Sequence, residues 1–220
     1  DAKDDIVEGS LKLPYGRDVV ARIRGRDVIH SFFVRELRVK QDAVPGLEVQ
    51  VPFHIEKKGM LQGALQGLSA ETLNAKDASA VKAAFAKLGI PLSEKAEVLT
   101  GAEKLIQDLA ARNIKPGGKD TDLSPAEQKR IEDKLANQWV IRDKSKSHYD
   151  TTPDAGYTET FGIELENGVL NAYRTSYEVV CAELCGQAHW QMRAEMEAVS
   201  PEEYDLWYAI MSRVNKLYHE

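Results

Sequence analysis

Hydrophobic and polar residues follow different periods in different parts of the chain. Before residue 59, apolar positions alternate with polar ones, which is the pattern of a β-strand with one buried face. The alternation runs over Leu11–Leu13, Val19–Ile23 and Leu47–Ile55, and Pro14-Tyr15-Gly16 forms a turn-like break between the first two. Pro52 indicates that its strand lies at a sheet edge or carries a bulge. This part of the chain is predicted to be β-structure.

The middle of the chain is rich in Ala, Lys, Glu and Leu, a composition that favours helices. An apolar stripe from Val81 to Leu88 has helical spacing, and Thr100–Glu103 and Ser124–Glu127 match the capping box that begins a helix. The helix after Ser124 is expected to carry Ile131, Leu135 and Trp139. Residues 59–175 are therefore predicted to form a mainly helical insertion.

Strand character returns at Tyr177–Val180 and again after Met192, where apolar and charged residues alternate. Ser200-Pro201-Glu202-Glu203 then begins a final helix with one apolar face. We expect one discontinuous β domain, residues 1–58 and 176–199, with a C-terminal helix, residues 200–220, packed on it.

Composition narrows the class of protein. The 220 residues are 43% hydrophobic and 29% charged, as in an ordinary globular protein. The net charge of −6 argues against nucleic acid as a partner; it fits a cationic partner, or it serves solubility alone. No apolar run approaches the roughly 18 residues that span a bilayer. No signal peptide is visible at Asp1, so we expect a fragment or a processed chain.

Candidate chemistry is concentrated in the segment C-A-E-L-C-G-Q-A-H-W-Q-M, which holds both cysteines of the chain, Cys181 and Cys185. With His189 and Met192 they offer thiolate, imidazole and thioether ligands, a set that suits copper. A disulfide and a reduced thiol pair are also open, but a bridge closing so short a loop would stabilise little. Metal ligation is the favoured interpretation.

Two bridging thiolates can join two coppers, and each copper then needs a further strong ligand. His189 supplies one, and His30 is the candidate for the other. Met192 and the backbone carbonyl of Glu183 are expected as weak ligands. A zinc site is an alternative, although Met is not a usual zinc ligand; a mononuclear blue-copper site would leave one thiol unused. Taken alone, His30 would be read as an ordinary core histidine.

The segment fits C-x-E-x-C-G-x-x-H-x-x-M at every fixed position, and it resembles the soluble CuA domain of cytochrome c oxidase subunit II. The block Asp27–Gly46 resembles the family segment that delivers the first histidine, at His30. The closing V-S-P-E-E-Y-D-L-W resembles the family's C-terminal helix. Arg35 replaces a usual proline. Two features of the family are not found in this sequence: its membrane hairpin and its aromatic strand with the electron-entry tryptophan. Conversely, the insertion has no counterpart in the common family pattern.

The resemblance implies a mainly β, cupredoxin-type Greek-key barrel that holds two copper ions in a dinuclear CuA centre. The implied metal-site residues are His30, Cys181, Glu183, Cys185, His189 and Met192. The centre would accept electrons from cytochrome c, or a cytochrome c domain, and pass them to haem in subunit I. The Glu183 carboxylate would also reach a magnesium at the subunit I interface. Asp27 and Asp42 correspond to acids near the docking face, although a solvated charge is equally open for both.

The implied location is the extracytoplasmic, periplasmic face of the bacterial inner membrane, with anchoring helices outside this chain. A CuA domain of nitrous-oxide reductase is an alternative, but that family typically has Trp where Glu183 stands and His where Gly186 stands. A copper chaperone or storage module is another alternative. The insertion is expected to contact another subunit, a dedicated donor or another respiratory complex.

Overall fold

The structure is a computed structural model that describes Ile6, residues 10–146 and residues 156–219. These residues form twelve strands and six α-helices, so the expectation of a mainly β protein is confirmed. In chain order the elements are β1 (Leu11–Pro14), β2 (Asp18–Arg24), β3 (His30–Val34), β4 (Val39–Ala43), β5 (Glu48–His54), α1 (Lys57–Met60), β6 (Leu61–Ala64), α2 (Ala70–Asn74), α3 (Ala78–Lys87), β7 (Glu97–Thr100), α4 (Gly101–Ala110), α5 (Pro125–Lys134), β8 (Gln138–Lys146), β9 (Gly156–Glu166), β10 (Val169–Arg174), β11 (Ser176–Cys181), β12 (Arg193–Val199) and α6 (Pro201–His219).

The chain divides into two compact units. The first, which we call the β unit, comprises residues 8–59 and 176–199. The second, which we call the mixed unit, comprises residues 1–7, 60–175 and 200–220.

The β unit contains a five-stranded sheet in the order β1-β12-β11-β3-β4 and a two-stranded sheet, β2-β5. Only the β1–β12 pair is parallel among the strand pairs described in this unit. The predicted alternation after Met192 is confirmed in β12, where Met196 and Ala198 are fully buried. Pro52 lies in β5 opposite Val20, on the exposed face of the two-stranded sheet. Its missing N–H is tolerated there because β5 has only one partner strand.

The mixed unit is built on an antiparallel sheet in the order β6-β10-β9-β8-β7. One hydrophobic cluster packs α2 and α3 against strands of this sheet, with Phe85, Trp139 and Phe161 almost fully buried. The rings of Phe85 and Phe161 meet edge to face, with centroids 5.3 Å apart. The Trp139 indole N–H donates to the Asn74 side-chain oxygen over 2.8 Å, so this large buried ring leaves no polar atom unsatisfied.

Both predicted capping boxes are present. At α4, Thr100 accepts from the Glu103 backbone N–H, and the Glu103 carboxylate accepts from the Thr100 N–H. At α5, Ser124 and Glu127 make the same reciprocal pair, with Pro125 in the first turn. These contacts satisfy backbone donors that have no partner within the helix, which explains where the two helices begin.

The prediction of a mainly helical insertion was wrong in one respect, because the described residues between 60 and 175 also supply all five strands of a sheet. Trp139, which we had assigned to a helix, lies in β8. The helix of Ile131 ends at Lys134, with Leu135 as its C-cap. The apolar run after Leu135 therefore belongs to a buried strand. A short apolar run in a sequence is equally compatible with a buried strand and with a buried helix.

The C-terminal helix also differs from expectation. We predicted that it packs on the β domain, but α6 contacts α4 and α5 within the mixed unit. Its buried face, Leu206, Trp207, Ile210 and Val214, joins a cluster with apolar residues of those helices, among them Leu105, Leu109 and Ile131. Helices with complementary apolar stripes bury more surface together than apart, which accounts for this packing.

Glu103 provides a test of the capping interaction. Its pKa is lowered from the ordinary 4.5, first by the hydrogen bond from Lys76 and then by the Thr100 N–H. The unfolded chain therefore binds this proton at higher pH than the folded chain does, and the ionised side chain stabilises the fold above pH 4.5. We expect Glu103→Gln to lower the free energy of unfolding by up to about 1 kcal/mol at neutral pH, because the side chain is partly exposed.

The difference in the free energy of unfolding between wild type and Glu103→Gln should become smaller as the pH falls below 4.5. Urea denaturation at a series of pH values measures it. Glu132→Gln is the matched control. Glu132 is exposed on α5, and no hydrogen bond or ion pair joins it to another described residue. A loss of unfolding free energy in Glu103→Gln that does not change with pH would contradict the capping explanation.

Candidate metal centre

Strand pairing places His30 beside Cys181. β11 runs antiparallel to β3, and its last residue, Cys181, pairs with Phe32. His30, the first residue of β3, lies two positions before Phe32 at the same end of the pair. As a result, Nδ1 of His30 is 3.9 Å from Sγ of Cys181, although the two residues are 151 positions apart in sequence.

The loop between β11 and β12 gathers the remaining sulfur and imidazole groups. The Cys181 N–H donates to the Met192 carbonyl over 3.1 Å, which closes the loop at its base. Inside it, the Cys185 Sγ lies 3.7 Å from the Cys181 Sγ, 3.4 Å from the His189 Nδ1 and 3.3 Å from the Met192 Sδ. Four of the six residues predicted for the site thus meet at one sulfur atom or directly beside it.

Glu183 enters the cluster through its backbone only. Its carbonyl oxygen is 3.3 Å from the Cys181 Sγ. His30, Cys181 and Cys185 have ligand atoms that all lie within 4.8 Å of one another. Among the described residues, the Glu183 carboxylate does not come that close to all three. The structure therefore brings the predicted carbonyl to the site and leaves the carboxylate outside it.

Both cysteines are free thiols, and their 3.7 Å separation is far beyond a disulfide bond. The pKa of Cys181 is lowered to about 6: burial acts to raise it, but backbone hydrogen bonds at Glu183 and Ser31, together with His30, outweigh burial. The pKa of Cys185 is raised, by burial and then by its hydrogen bond with Cys181. One thiolate is therefore available near neutral pH without a metal, and it is the thiolate that binds metals.

Three contacts around these side chains were not predicted as part of the site. The Asp27 carboxylate is 2.7 Å from the His30 Nε2. This contact lowers the pKa of Asp27 and raises the pKa of His30, the latter with a smaller contribution from Cys181. The Ser31 N–H donates to the Cys181 Sγ over 3.5 Å, and the Ser31 carbonyl accepts from Ala182 over 3.3 Å. The spacing of three between Asp27 and His30 was the available signal for the first contact.

The cluster opens to solvent on one side. An open depression at this place is lined by Arg26, Asp27, His30, Gln187, His189 and Met192, among others. Met192 is 41% exposed, and Leu184, between the two cysteines, is 83% exposed. The donor atoms are therefore accessible from outside the β unit.

Two thiols, two imidazoles and a thioether in one cluster define a copper-type site on a β domain. The thioether is an unusual zinc ligand, so the donor set fits copper better than zinc.

Comparison with known proteins points to the same family as the motif. Residues 4–72 match the family model described as cytochrome c oxidase subunit II, periplasmic domain. Cytochrome c oxidase subunit 2 of Thermostichus vulcanus is 55% identical over 42 residues, which are 19% of this chain and 13% of that protein. Subunit 2 of Cereibacter sphaeroides is 43% identical over 54 residues, 24% of this chain and 18% of that protein.

The alternative cytochrome c oxidase subunit 2 of Bradyrhizobium diazoefficiens is 47% identical over 47 residues, 20% of this chain and 17% of that protein. The resemblance to the periplasmic domain of cytochrome c oxidase subunit II is thus confirmed, although each matched segment spans less than a fifth of the length of these three relatives. In the described part of the chain, no helix is long and apolar enough to cross a membrane.

A solved structure with a weak likeness to this chain is the periplasmic domain of subunit II of cytochrome oxidase (CoxB) from Bradyrhizobium japonicum. It aligns with a TM-score of 0.37 at 12% identity, covering 93% of this chain and 64% of that one.

Proposed function

We propose that this chain is the electron-entry domain of a respiratory cytochrome c oxidase, with a cupredoxin-type β unit that holds a dinuclear copper centre. The observation that carries the proposal is the sulfur–imidazole cluster, in which Cys185 contacts Cys181, His189 and Met192 while Cys181 faces His30. The match of residues 4–72 to the subunit II family supports it from the part of the chain that contains His30.

In this proposal the thiolates of Cys181 and Cys185 and the imidazoles of His30 and His189 would hold two copper ions. Met192 and the Glu183 carbonyl are the weak ligands. When bound, such a centre supplies acceptance and release of one electron. The protein contributes a fixed frame: His30 and Cys181 lie on paired strands, and the Cys181–Met192 backbone hydrogen bond closes the ligand loop. A frame of this kind limits rearrangement of the ligands when the charge of the centre changes.

The proposed partners follow from the family. Cytochrome c, or a cytochrome c domain, is the electron donor, and haem in subunit I is the acceptor. The Glu183 carboxylate, free of the sulfur cluster, is proposed to bind magnesium at the subunit I interface. We place the domain at the periplasmic face of the inner membrane, in a complex anchored by helices of the full assembly.

The decisive experiment is copper analysis with absorption and EPR spectra of the purified, copper-loaded chain. We expect two coppers per chain that share one unpaired electron. One exchangeable Cu(I) per chain would instead favour a chaperone or storage module, and zinc would overturn the copper assignment. Reduction of the loaded chain by cytochrome c, followed in a stopped-flow instrument, then tests the donor.

The mixed unit is proposed to contact another subunit, a dedicated donor or another respiratory complex. A deletion test must remove residues 60–175 together with α6. If α6 were left behind without those residues, its apolar side chains Leu206, Trp207, Ile210 and Val214 would be exposed. The shortened protein is expected to bind copper at the wild-type stoichiometry and to accept electrons more slowly from the natural donor. Unchanged electron transfer from that donor would refute the role of the mixed unit.

Gly186 gives a further prediction about the loop. Its φ of +132° is one that side-chain-bearing residues rarely adopt, and an added Cβ would meet no atom within 4 Å. Gly186→Ala should therefore strain the loop without a clash, at a cost of about 1–3 kcal/mol, and lower the copper affinity measured by chelator competition. Gly16→Ala is the matched control, with a φ of +71° and equally open space in the β1–β2 turn. If both variants bound copper equally, the loop conformation would have no role in binding.

A further inference from the structure

The environment of His30 distinguishes its two ring nitrogens, which lie on opposite sides of the imidazole. Nδ1 is 3.9 Å from the Cys181 Sγ, inside the cluster. Nε2 is 2.7 Å from the Asp27 carboxylate, on the solvent side. The His30 side chain is only 20% exposed, whereas that of Asp27 is 71% exposed.

We propose that Asp27 is a positioning residue for the copper centre: by accepting a hydrogen bond from the His30 Nε2–H, it holds the ring so that Nδ1 presents its lone pair to the metal. The inference rests on the proposed function and goes beyond it, because Asp27 was expected to serve partner docking or solvation. The match of residues 4–72 to the subunit II family says nothing about this contact.

The chemistry requires an orienting group of this kind. A neutral imidazole carries one N–H donor and one acceptor nitrogen, and a metal must take the acceptor. An ionised carboxylate can only accept, so a carboxylate on Nε2 keeps the proton there and leaves Nδ1 free. Metal-binding histidines commonly donate their second nitrogen to a carboxylate, and loss of that outer partner typically lowers metal affinity by roughly 10- to 100-fold.

Charge alone does not explain the geometry. Asp42 also lies near the cluster, on β4 opposite Ser31, but no described hydrogen bond or ion pair joins it to His30. The two acids therefore contribute the same charge to this end of the β unit, and only Asp27 touches a proposed ligand. This difference makes Asp42 the matched control for an experiment on Asp27.

The first test uses the metal-free chain, so it does not depend on copper. At a pH where the imidazole is neutral, NMR of the histidine ring nitrogens should show the His30 proton on Nε2, shifted downfield and slowed in its exchange with water. Asp27→Ala should remove that signature. The His54–Asp18 pair, 2.8 Å apart through the His54 Nδ1, is the internal control and should not change. A wild-type His30 proton on Nδ1, or a signature that persists in Asp27→Ala, would overturn the proposal.

The second test loads copper into wild type, Asp27→Ala, Asp27→Asn and Asp42→Asn. We expect Asp27→Ala to lower copper affinity by roughly 10- to 100-fold and to alter the nitrogen hyperfine couplings and the reduction potential. Asp27→Asn should lose less copper affinity than Asp27→Ala, since its amide oxygen still accepts from the His30 Nε2–H. Asp42→Asn should bind copper with wild-type affinity. Equal copper affinities and reduction potentials for Asp27→Ala and Asp42→Asn would show an effect of charge alone and overturn the positioning role of Asp27. A wild type without paired copper would refute the proposed function, and the metal-free NMR result would still decide the role of Asp27.

Discussion

Replacing Cys185 by serine is expected to abolish the paired-copper EPR signal and the electron transfer that depends on it. The Cys185 sulfur contacts three other proposed ligands, Cys181, His189 and Met192, so its loss removes one thiolate and the contact point of two further side chains. A serine oxygen is a harder ligand than a thiolate and does not suit copper in a sulfur-rich site. The loss should exceed the roughly 10- to 100-fold effects of outer-shell substitutions.

A histidine pair provides the matched control for the same site. His189→Ala is expected to reduce bound copper or convert the paired signal to one of isolated copper. His54→Ala removes a histidine of the same β unit that bonds to Asp18 and is not part of the cluster. His54→Ala should keep two coppers per chain. A paired signal that survives in Cys185→Ser, or equal losses in the two histidine variants, would contradict the proposed ligand set.

The second large effect concerns stability. Lys104 is completely buried in α4, where its ammonium group bonds to the buried Glu203 carboxylate and lies 3.2 Å from Asp108. Lys104→Met removes this cationic partner from the buried Glu203 carboxylate and leaves it close to the Asp108 carboxylate. We expect the free energy of unfolding to fall by about 3–5 kcal/mol, the range for breaking a buried ion pair.

Lys76→Met is the control, because Lys76 also makes a short ion pair, with Glu103 2.7 Å away, but both of these side chains are more than 40% exposed. An exposed pair contributes about 0–1 kcal/mol, so this variant should unfold close to wild type in urea. The double variant Lys104→Met with Glu203→Leu should recover part of the loss, since apolar replacements can fill such a site. A cost for Lys104→Met no larger than that for Lys76→Met would show that the buried pair contributes little.

Local signals in the sequence predicted part of the fold well. The capping boxes at Thr100 and Ser124 are short-range patterns, and the helices begin where they indicate. Alternation predicted β1, β2, β5 and β12 of the β unit. These features depend on neighbours within a few residues, so a single sequence contains them.

The sheet of the mixed unit was missed for two different reasons. Val98-Leu99 and Trp139-Val140-Ile141 are short apolar runs without a period, and such runs fit a buried strand or a buried helix equally well. The β9–β10 hairpin was a missed signal: Asn167-Gly168, with φ values of +50° and +78°, is a preferred two-residue hairpin turn. The packing of α6 depends on which apolar face it meets, which no local pattern specifies.

For the site, the spacing within Cys181–Met192 anticipated a cluster, and the structure brings those side chains together. His30 was proposed because a second copper needs another strong ligand, and the family resemblance then favoured that role over an ordinary core histidine. The Ser31 N–H and the Asp27 carboxylate lie around the ligands, and their contacts depend on strand pairing and ring orientation. Such outer contacts are set by three-dimensional placement, so a motif of ligand types does not reveal them.

The 151 positions between His30 and Cys181 have a consequence for the timing of assembly. During synthesis, the first imidazole leaves the ribosome long before either thiol exists. The entire stretch 60–175 must be translated before β11 can pair with β3. The proposed copper site therefore cannot be complete on a nascent chain that stops before Cys185, and metal delivery to it would follow the closure of the β unit rather than accompany its first strands.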